Sequence, residues 1–235
     1  MTTTEEQRVT SVKEAAGRRA ADMVETGTIV GLGTGSTVWF TLLRLAERIQ
    51  SEGLEIVGVP TSMDTTEKAT DLGIPLLGLG EVEKIHLTID GADEIDGEFQ
   101  MIKGGGGALL REKVIASISD REVIVVGPDK VVDKLGTTFL LPVEVTSFAL
   151  PTVSRALAAL GCEPVLRLSD PGVALTTDNG NQILDCHFPN GIDDPRNLER
   201  AIAAIPGAVE SGLFIDLAHA VIIGKEDGTA EVRER

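Results

Sequence analysis

Long apolar runs, cysteine, histidine and lysine are all scarce in this chain of 235 residues, and each scarcity removes a class of function. The longest apolar stretches, such as Val123 to Val126 and Ala220 to Ile223, are strand-sized, far short of the roughly 20 residues a membrane-spanning helix needs. The polar segment Thr2 to Arg8 lacks the apolar core of a signal peptide, which predicts a soluble, cytoplasmic protein. Two cysteines, Cys162 and Cys186, are too few for a metal cluster and read as buried small hydrophobes or idle thiols. His86, His187 and His219 lie far apart and show no ligand spacing, so no metal site is expected. Lysine supplies only 8 of the 21 basic residues, which face 37 acidic ones and leave a formal charge of −16. That balance argues against a nucleic-acid partner, which needs a basic face, and against an anionic membrane. It fits either a surface adapted to high salt or an ordinary acidic cytosolic protein. An anionic substrate must then be held by local features that overcome an unfavourable global field.

What the chain does have is alternation. Apolar positions Val9, Val12, Ala16, Ala20, Met23 and Val24 recur at helical spacing, and Gly27 closes that segment. Short β-branched runs at 28–32, 55–59, 74–77, 85–89 and 122–126 then alternate with helical patterns at 38–52, 65–72 and 109–119. Strands and helices in this order predict a parallel sheet covered on both faces. From residue 138 the pattern changes to β-α-β-β-α-β, with strands near 139–145, 165–168, 183–187 and 207–214 and helices at 151–160 and 195–205. The expected fold is α/β: a Rossmann-like parallel-sheet domain (1–137 plus 215–235) and a smaller ferredoxin-like α+β domain (138–214). The apolar run 220–224 is expected to return to the first sheet.

Three segments carry chemistry. Gly31-Leu32-Gly33-Thr34-Gly35-Ser36-Thr37 joins a strand to a helix, where bare backbone and helix N-terminal amides favour an anion such as phosphate. Its spacing is neither the dinucleotide fingerprint nor a Walker loop, and a plain tight turn with a Ser/Thr cap is the alternative. Asp90-Gly91-Ala92-Asp93-Glu94 follows a strand, at the edge where open parallel sheets bind ligands. Carboxylates held close repel, which raises one pKa and suits proton transfer. Lys103 then opens the run Gly104-Gly105-Gly106-Gly107, whose amides can form a nest for a developing oxyanion. Glu112 near the start of the next helix can reach back toward that loop, although by itself it reads better as a surface glutamate favouring the helix dipole. Lys130 follows the strand 122–126, and Lys13 in the first helix reads as part of a solvated face. The inventory fits proton shuffling on a sugar phosphate without metal or redox cofactor.

At these residues the chain resembles ribose-5-phosphate isomerases of the A type. The segments that carry the resemblance are 33–37, 90–94, Met101 to Leu109 with Arg111-Glu112-Lys113, Leu141-Pro-Val-Glu-Val145, Thr177-Asp-Asn-Gly-Asn181 and Ile205-Pro-Gly207, in order over nearly the whole chain. The resemblance implies interconversion of ribose 5-phosphate and ribulose 5-phosphate in the pentose phosphate pathway, with no cofactor, by a homodimer or homotetramer. It implies Glu112 as the base that moves a proton between C1 and C2, and Asp90 and Asp93 as handlers of the sugar hydroxyls and ring opening. Lys103 and the amides of Gly104, Gly105 and Gly106 would stabilise the ene-diolate. Thr34, Gly35, Ser36, Thr37, Gly91, Ala92 and Lys130 would bind substrate. Lys13 falls where some members place a phosphate-contacting lysine. Gly127-Pro128-Asp129 departs from the small-residue stretch often found before Lys130, and His219 is given no role.

Overall fold

The computed structural model describes residues 4–235, so residues 2 and 3 of the polar segment fall outside it. The chain divides into two compact units. The first runs to Ala92 and resumes at Arg111–Val131 and Leu217–Arg235; the second comprises Asp93–Leu110 and Val132–Asp216.

The first unit is built on a six-stranded sheet in the order Ala230–Glu234, Ala220–Gly224, Glu122–Val126, Leu87–Asp90, Thr28–Leu32, Ile56–Pro60. All pairings are parallel except that of the edge strand Ala230–Glu234, which runs antiparallel. Glu122–Val126 and Ala220–Gly224 are buried along their whole length, as strands of a sheet covered on both faces must be. The period of two sorts their side chains. Val30, Leu32, Leu87, Ile89, Val123, Val125 and Ile222 pack with Ala16 and Ala20 of helix Thr4–Ala21 and Leu42 and Leu45 of helix Val38–Glu52. Ile29 and Val59 belong to a separate cluster with Ile85 and Ile115. Helix Val38–Glu52 stops at Gly53, whose φ of 71° lets its amide turn back to Arg48 O. The expected strand at 74–77 amounts to a single bridge between Gly58 and Leu76. The edge strand Ala230–Glu234 is half-polar and pairs on one side only, so no apolar run marks it in the sequence. Among the described residues, no helix is long and apolar enough to cross a membrane.

The second unit holds a four-stranded antiparallel sheet in the order Ala208–Ser211, Leu141–Val145, Gln182–His187, Glu163–Leu166. Counted along the chain this is four-one-three-two, with helices Leu150–Ala159 and Pro195–Ala203 in the two crossovers. That is the ferredoxin-like order the pattern predicts. Cys162 and Cys186 lie in its core with Val143, Val153, Leu157 and Leu184. The contact with Cys162, reinforced by burial, pushes the Cys186 thiol far above its ordinary value.

A second, three-stranded sheet of Glu94–Ile95, Met101–Ile102 and Leu213–Phe214 ties residues 93–110 into this unit. The expected boundary at 137/138 put that segment, and 132–137, in the other domain. The run expected to form one strand over 207–214 is broken at Gly212. A Cβ there would stand 2.3 Å from Lys103 O and 2.8 Å from Pro142 Cδ. The Gly212 amide donates to Pro142 O (2.7 Å) and its carbonyl accepts from Lys103 N (2.9 Å), so the chain passes from one sheet to the other at this residue.

Candidate active site

Each unit carries one glycine loop and one aspartate from the 90–94 motif. In the first unit the loop 33–37 leaves the end of strand Thr28–Leu32 and enters helix Val38–Glu52. Gly33 packs against Asp90 so closely that a Cβ would lie 2.3 Å from Oδ1 and 2.6 Å from Cα. Asp90 is buried, and its Oδ1 accepts from Thr34 N (3.0 Å) and Gly91 N (2.7 Å). The carboxylate therefore fixes its own turn and the neighbouring loop together. Thr34 Oγ1 meets Thr61 Oγ1 (2.8 Å), Ser62 Oγ (2.8 Å) and Thr65 Oγ1 (3.1 Å), while Thr65 Oγ1 donates to Gly33 O (2.8 Å). Thr61, Ser62 and Thr65 are buried and Thr34 half-buried, and no local pattern in the sequence announces this hydroxyl cluster. Ser62 also caps the helix Met63–Asp71 by accepting from Thr65 N.

Gly35 and Ser36 are exposed at the start of helix Val38–Glu52, and Thr37 makes no capping hydrogen bond to it. Trp39 N and Phe40 N donate to Gly35 O (3.0 Å) and Thr37 O (3.1 Å), so the positive end of the helix dipole, which favours an anion, falls at the turn before them. Lys13, read from sequence as part of a solvated face, lines a cavity of about 430 Å³ with Ser36, Trp39, Phe40 and Lys68. Lys130 ends the short turn Pro128–Lys130 and lies 3.7 Å from Asp129 Oδ2. Glu112 sits in the first turn of helix Leu109–Ser117 and is only 5% exposed. The surface reading of this glutamate is therefore wrong. A carboxylate in this position is charge-matched to the helix dipole but removed from bulk water.

In the second unit Asp93 Oδ2 accepts from Gly105 N (2.8 Å), so this aspartate holds the glycine loop as Asp90 holds the other. Gly104 has φ of +107°, a conformation that disfavours any side chain, and Gly107 N closes a turn on Gly104 O (3.0 Å). Gly106 is exposed at the tip. Lys103 is 2% exposed, and its Nζ lies 5.4 Å from the centroid of the Phe214 ring. That is a cation–π distance.

Glu94, the last carboxylate of the motif, has a structural task. It is buried and accepts from Gly136 N, Thr138 N, Thr138 Oγ1 and Phe139 N, anchoring the loop 136–139. Two further motifs are explained by one contact set: Glu144 Oε1 accepts from Thr177 Oγ1 (2.9 Å), Asn179 Nδ2 (3.2 Å) and Asn181 Nδ2 (2.9 Å). A buried carboxylate thus staples the 177–181 turn to the sheet. His219 Nδ1 accepts from Glu122 N and His86 Nδ1 from Ile29 N, so both imidazoles serve the first sheet. Among the described residues no cluster of three His, Cys, Asp or Glu side chains is arranged to hold a metal ion.

The family model described as Ribose 5-phosphate isomerase A (phosphoriboisomerase A) matches residues 57–228. A ribose-5-phosphate isomerase A of Bacillus mycoides is 47% identical over 221 residues, covering 94% of this chain and 99% of its own. A solved ribose 5-phosphate isomerase from Plasmodium falciparum superposes with a TM-score of 0.92 at 36% identity, covering 96% of this chain and 99% of its own. A D-ribose-5-phosphate isomerase solved in complex with phospho-erythronic acid gives a TM-score of 0.92 at 35% identity, covering 100% of both chains. The chain belongs to the ribose 5-phosphate isomerase A family.

Proposed function

We propose that this member of the family interconverts ribose 5-phosphate and ribulose 5-phosphate through an ene-diolate, without a metal ion, as a step of the pentose phosphate pathway. The observation that carries the reading is the burial of Glu112. A glutamate kept from water at a helix start, five residues after a glycine loop, is costly for a surface role and suited to proton transfer.

In this reading Asp90 and Asp93 handle the sugar hydroxyls and the opening of the furanose ring to the free aldehyde. The Glu112 carboxylate takes the proton from C2, the electron pair forms the C1–C2 double bond, and negative charge develops on O1. Lys103 and the amides of Gly104 to Gly106 stabilise that charge; a proton passes from the C2 hydroxyl to O1, and Glu112 delivers its proton to C1 as C2 becomes the carbonyl. Thr34, Gly35, Ser36 and Thr37, with Lys13, hold the phosphate end, supported by the helix N-terminus and the adjoining cavity. Gly91, Ala92 and Lys130 contribute to the substrate site. The ligand of the solved relative supports this division. Phospho-erythronic acid carries a phosphate at one end and a carboxylate at the other, which has the charge and planarity of an ene-diolate. A cytoplasmic homodimer or homotetramer is the assembly that accompanies this reading.

Purified protein incubated with ribose 5-phosphate after metal chelation should form the ketose. No product under those conditions would remove the proposal. Glu112→Gln should lower kcat by roughly 10² to 10⁴, the usual range for losing a general base, while sugar-phosphate binding persists. Near-normal turnover in that variant would rule out Glu112 as the base.

A further inference from the structure

We infer that Arg167, held by Asp185, is a positioning residue that sets which way the peptide groups of the Lys103–Gly107 loop face. The inference rests on the reading of that loop as the oxyanion nest. Arg167 lies between the strands Glu163–Leu166 and Leu168–Asp170, and its backbone is pinned on both sides: its amide donates to Ile183 O (2.9 Å) and its carbonyl accepts from Leu175 N (3.0 Å). Its guanidinium divides its donors. Nε and Nη2 form a fork on Asp185 Oδ2 (2.8 Å) and Oδ1 (2.5 Å). Nη1 is left to donate to two successive carbonyls, Gly104 O (2.8 Å) and Gly105 O (3.1 Å). Both side chains are largely shielded, at 13% and 17% exposure, so the pair acts in a low dielectric with little competition from water.

The geometry of the trans peptide gives this contact its meaning. In each planar unit the C=O and the following N–H point in opposite directions. Drawing Gly104 O and Gly105 O toward Arg167 turns the amides of Gly105 and Gly106 the other way. The Gly105 amide accordingly reaches Asp93 Oδ2 on the far side of the loop. Glycine peptides flip easily, since glycine occupies positive and negative φ with similar ease. A flipped unit would aim a carbonyl, not an amide, at developing negative charge. The guanidinium opposes that flip at two consecutive peptides, which keeps the Gly105 amide on Asp93 and leaves the Gly106 amide as the donor it polarises. Lysine has no planar fork with which to bind Asp185 and reach both carbonyls at once.

The test compares the native chain with Arg167→Lys, Arg167→Ala and Asp185→Asn, using ribose 5-phosphate as substrate and phospho-erythronic acid as inhibitor. For Arg167→Ala, kcat should fall about 100-fold, the scale of misplacing catalytic donors by an ångström, with KM little changed. Inhibition by phospho-erythronic acid should weaken in parallel with kcat. Millimolar guanidinium should restore part of the Arg167→Ala rate, and Arg167→Lys should remain impaired. Hydrogen exchange of the peptide containing residues 103–107 should quicken in every variant, a readout independent of turnover. If Arg167→Ala does not fold, Arg167→Lys and Asp185→Asn carry the same comparisons. Native turnover with unchanged kcat and unchanged exchange in the variants would overturn the positioning role alone. Absence of turnover in the native chain would instead overturn the isomerase reading, with the exchange data still deciding whether Arg167 orients the loop.

Discussion

The two glycine loops solve similar problems by opposite means. Each is held by one aspartate of the 90–94 motif through one backbone amide: Thr34 N on Asp90, Gly105 N on Asp93. Beyond that they diverge. The 33–37 loop is fixed by a dense set of hydroxyls on Thr34, Thr61, Ser62 and Thr65, and Gly33 is there because Asp90 leaves no room for a Cβ. The 103–107 loop has few side chains to fix it, and Gly104 is there because its backbone turns through positive φ. It is steadied from outside, by a guanidinium on its carbonyls and a carboxylate on its amide. The first device suits a ligand group of constant charge, such as phosphate. The second suits charge that appears only during reaction, since the donors must already face the right way.

That contrast can be broken at three positions. Gly33→Ala should have the largest effect. Its methyl meets Asp90 Cα as well as the carboxylate, so no side-chain rotation relieves it. Thermal or urea unfolding should show a loss at or above the upper end of the roughly 1–3 kcal/mol typical of overpacking. Activity should fall more than about a hundredfold through displacement of the loop. Gly104→Ala should come next. Its methyl meets Leu109 and Pro142 at 3.1–3.2 Å, a contact that can yield, but the positive φ remains. The expected cost is about 1–3 kcal/mol, with kcat reduced and KM nearly constant. A rise in KM at constant kcat would break the assignment of this loop to the transition state. Ser62→Ala should be mildest, removing a helix cap worth about 1 kcal/mol and one partner of Thr34. Here the Michaelis constant should rise with kcat little changed, and the reverse split would break the contrast.

Much of the architecture was legible because parallel strands write themselves as continuous apolar runs and helices end at glycines such as Gly53. The order β-α-β-β-α-β was readable for the same reason. What was not legible depended on contacts distant in sequence. Glu94–Ile95 and Met101–Ile102 are two-residue strands with no periodicity to detect, and only pairing with Leu213–Phe214 assigns 93–110 to its unit. The break at Gly212 comes from the carbonyl of Lys103, which no local pattern announces. Ala230–Glu234 is a polar edge strand and resembles a tail. Within the site, the types and spacing of residues 90–112 announced acid–base chemistry, but burial decided between their readings. Glu112 moved from surface to interior, whereas Glu94 became an anchor for residues 136–139. Arg167 looked like an ordinary strand residue because its partners, Asp185 and the two glycine carbonyls, are far along the chain.

The small three-stranded sheet also has a bearing on how the chain matures. Asp216 N donates to Gln100 Oε1 across 116 positions, and Leu213–Phe214 closes the sheet beside the segment that presents Lys103. During synthesis that segment leaves the ribosome long before the strand that completes it, and the last strands of the other unit come later still. Each unit thus waits for the C-terminal part of the chain before it can close. A protein interrupted ahead of Leu213 would keep every residue of the 90–112 stretch and still lack the sheet that presents Lys103.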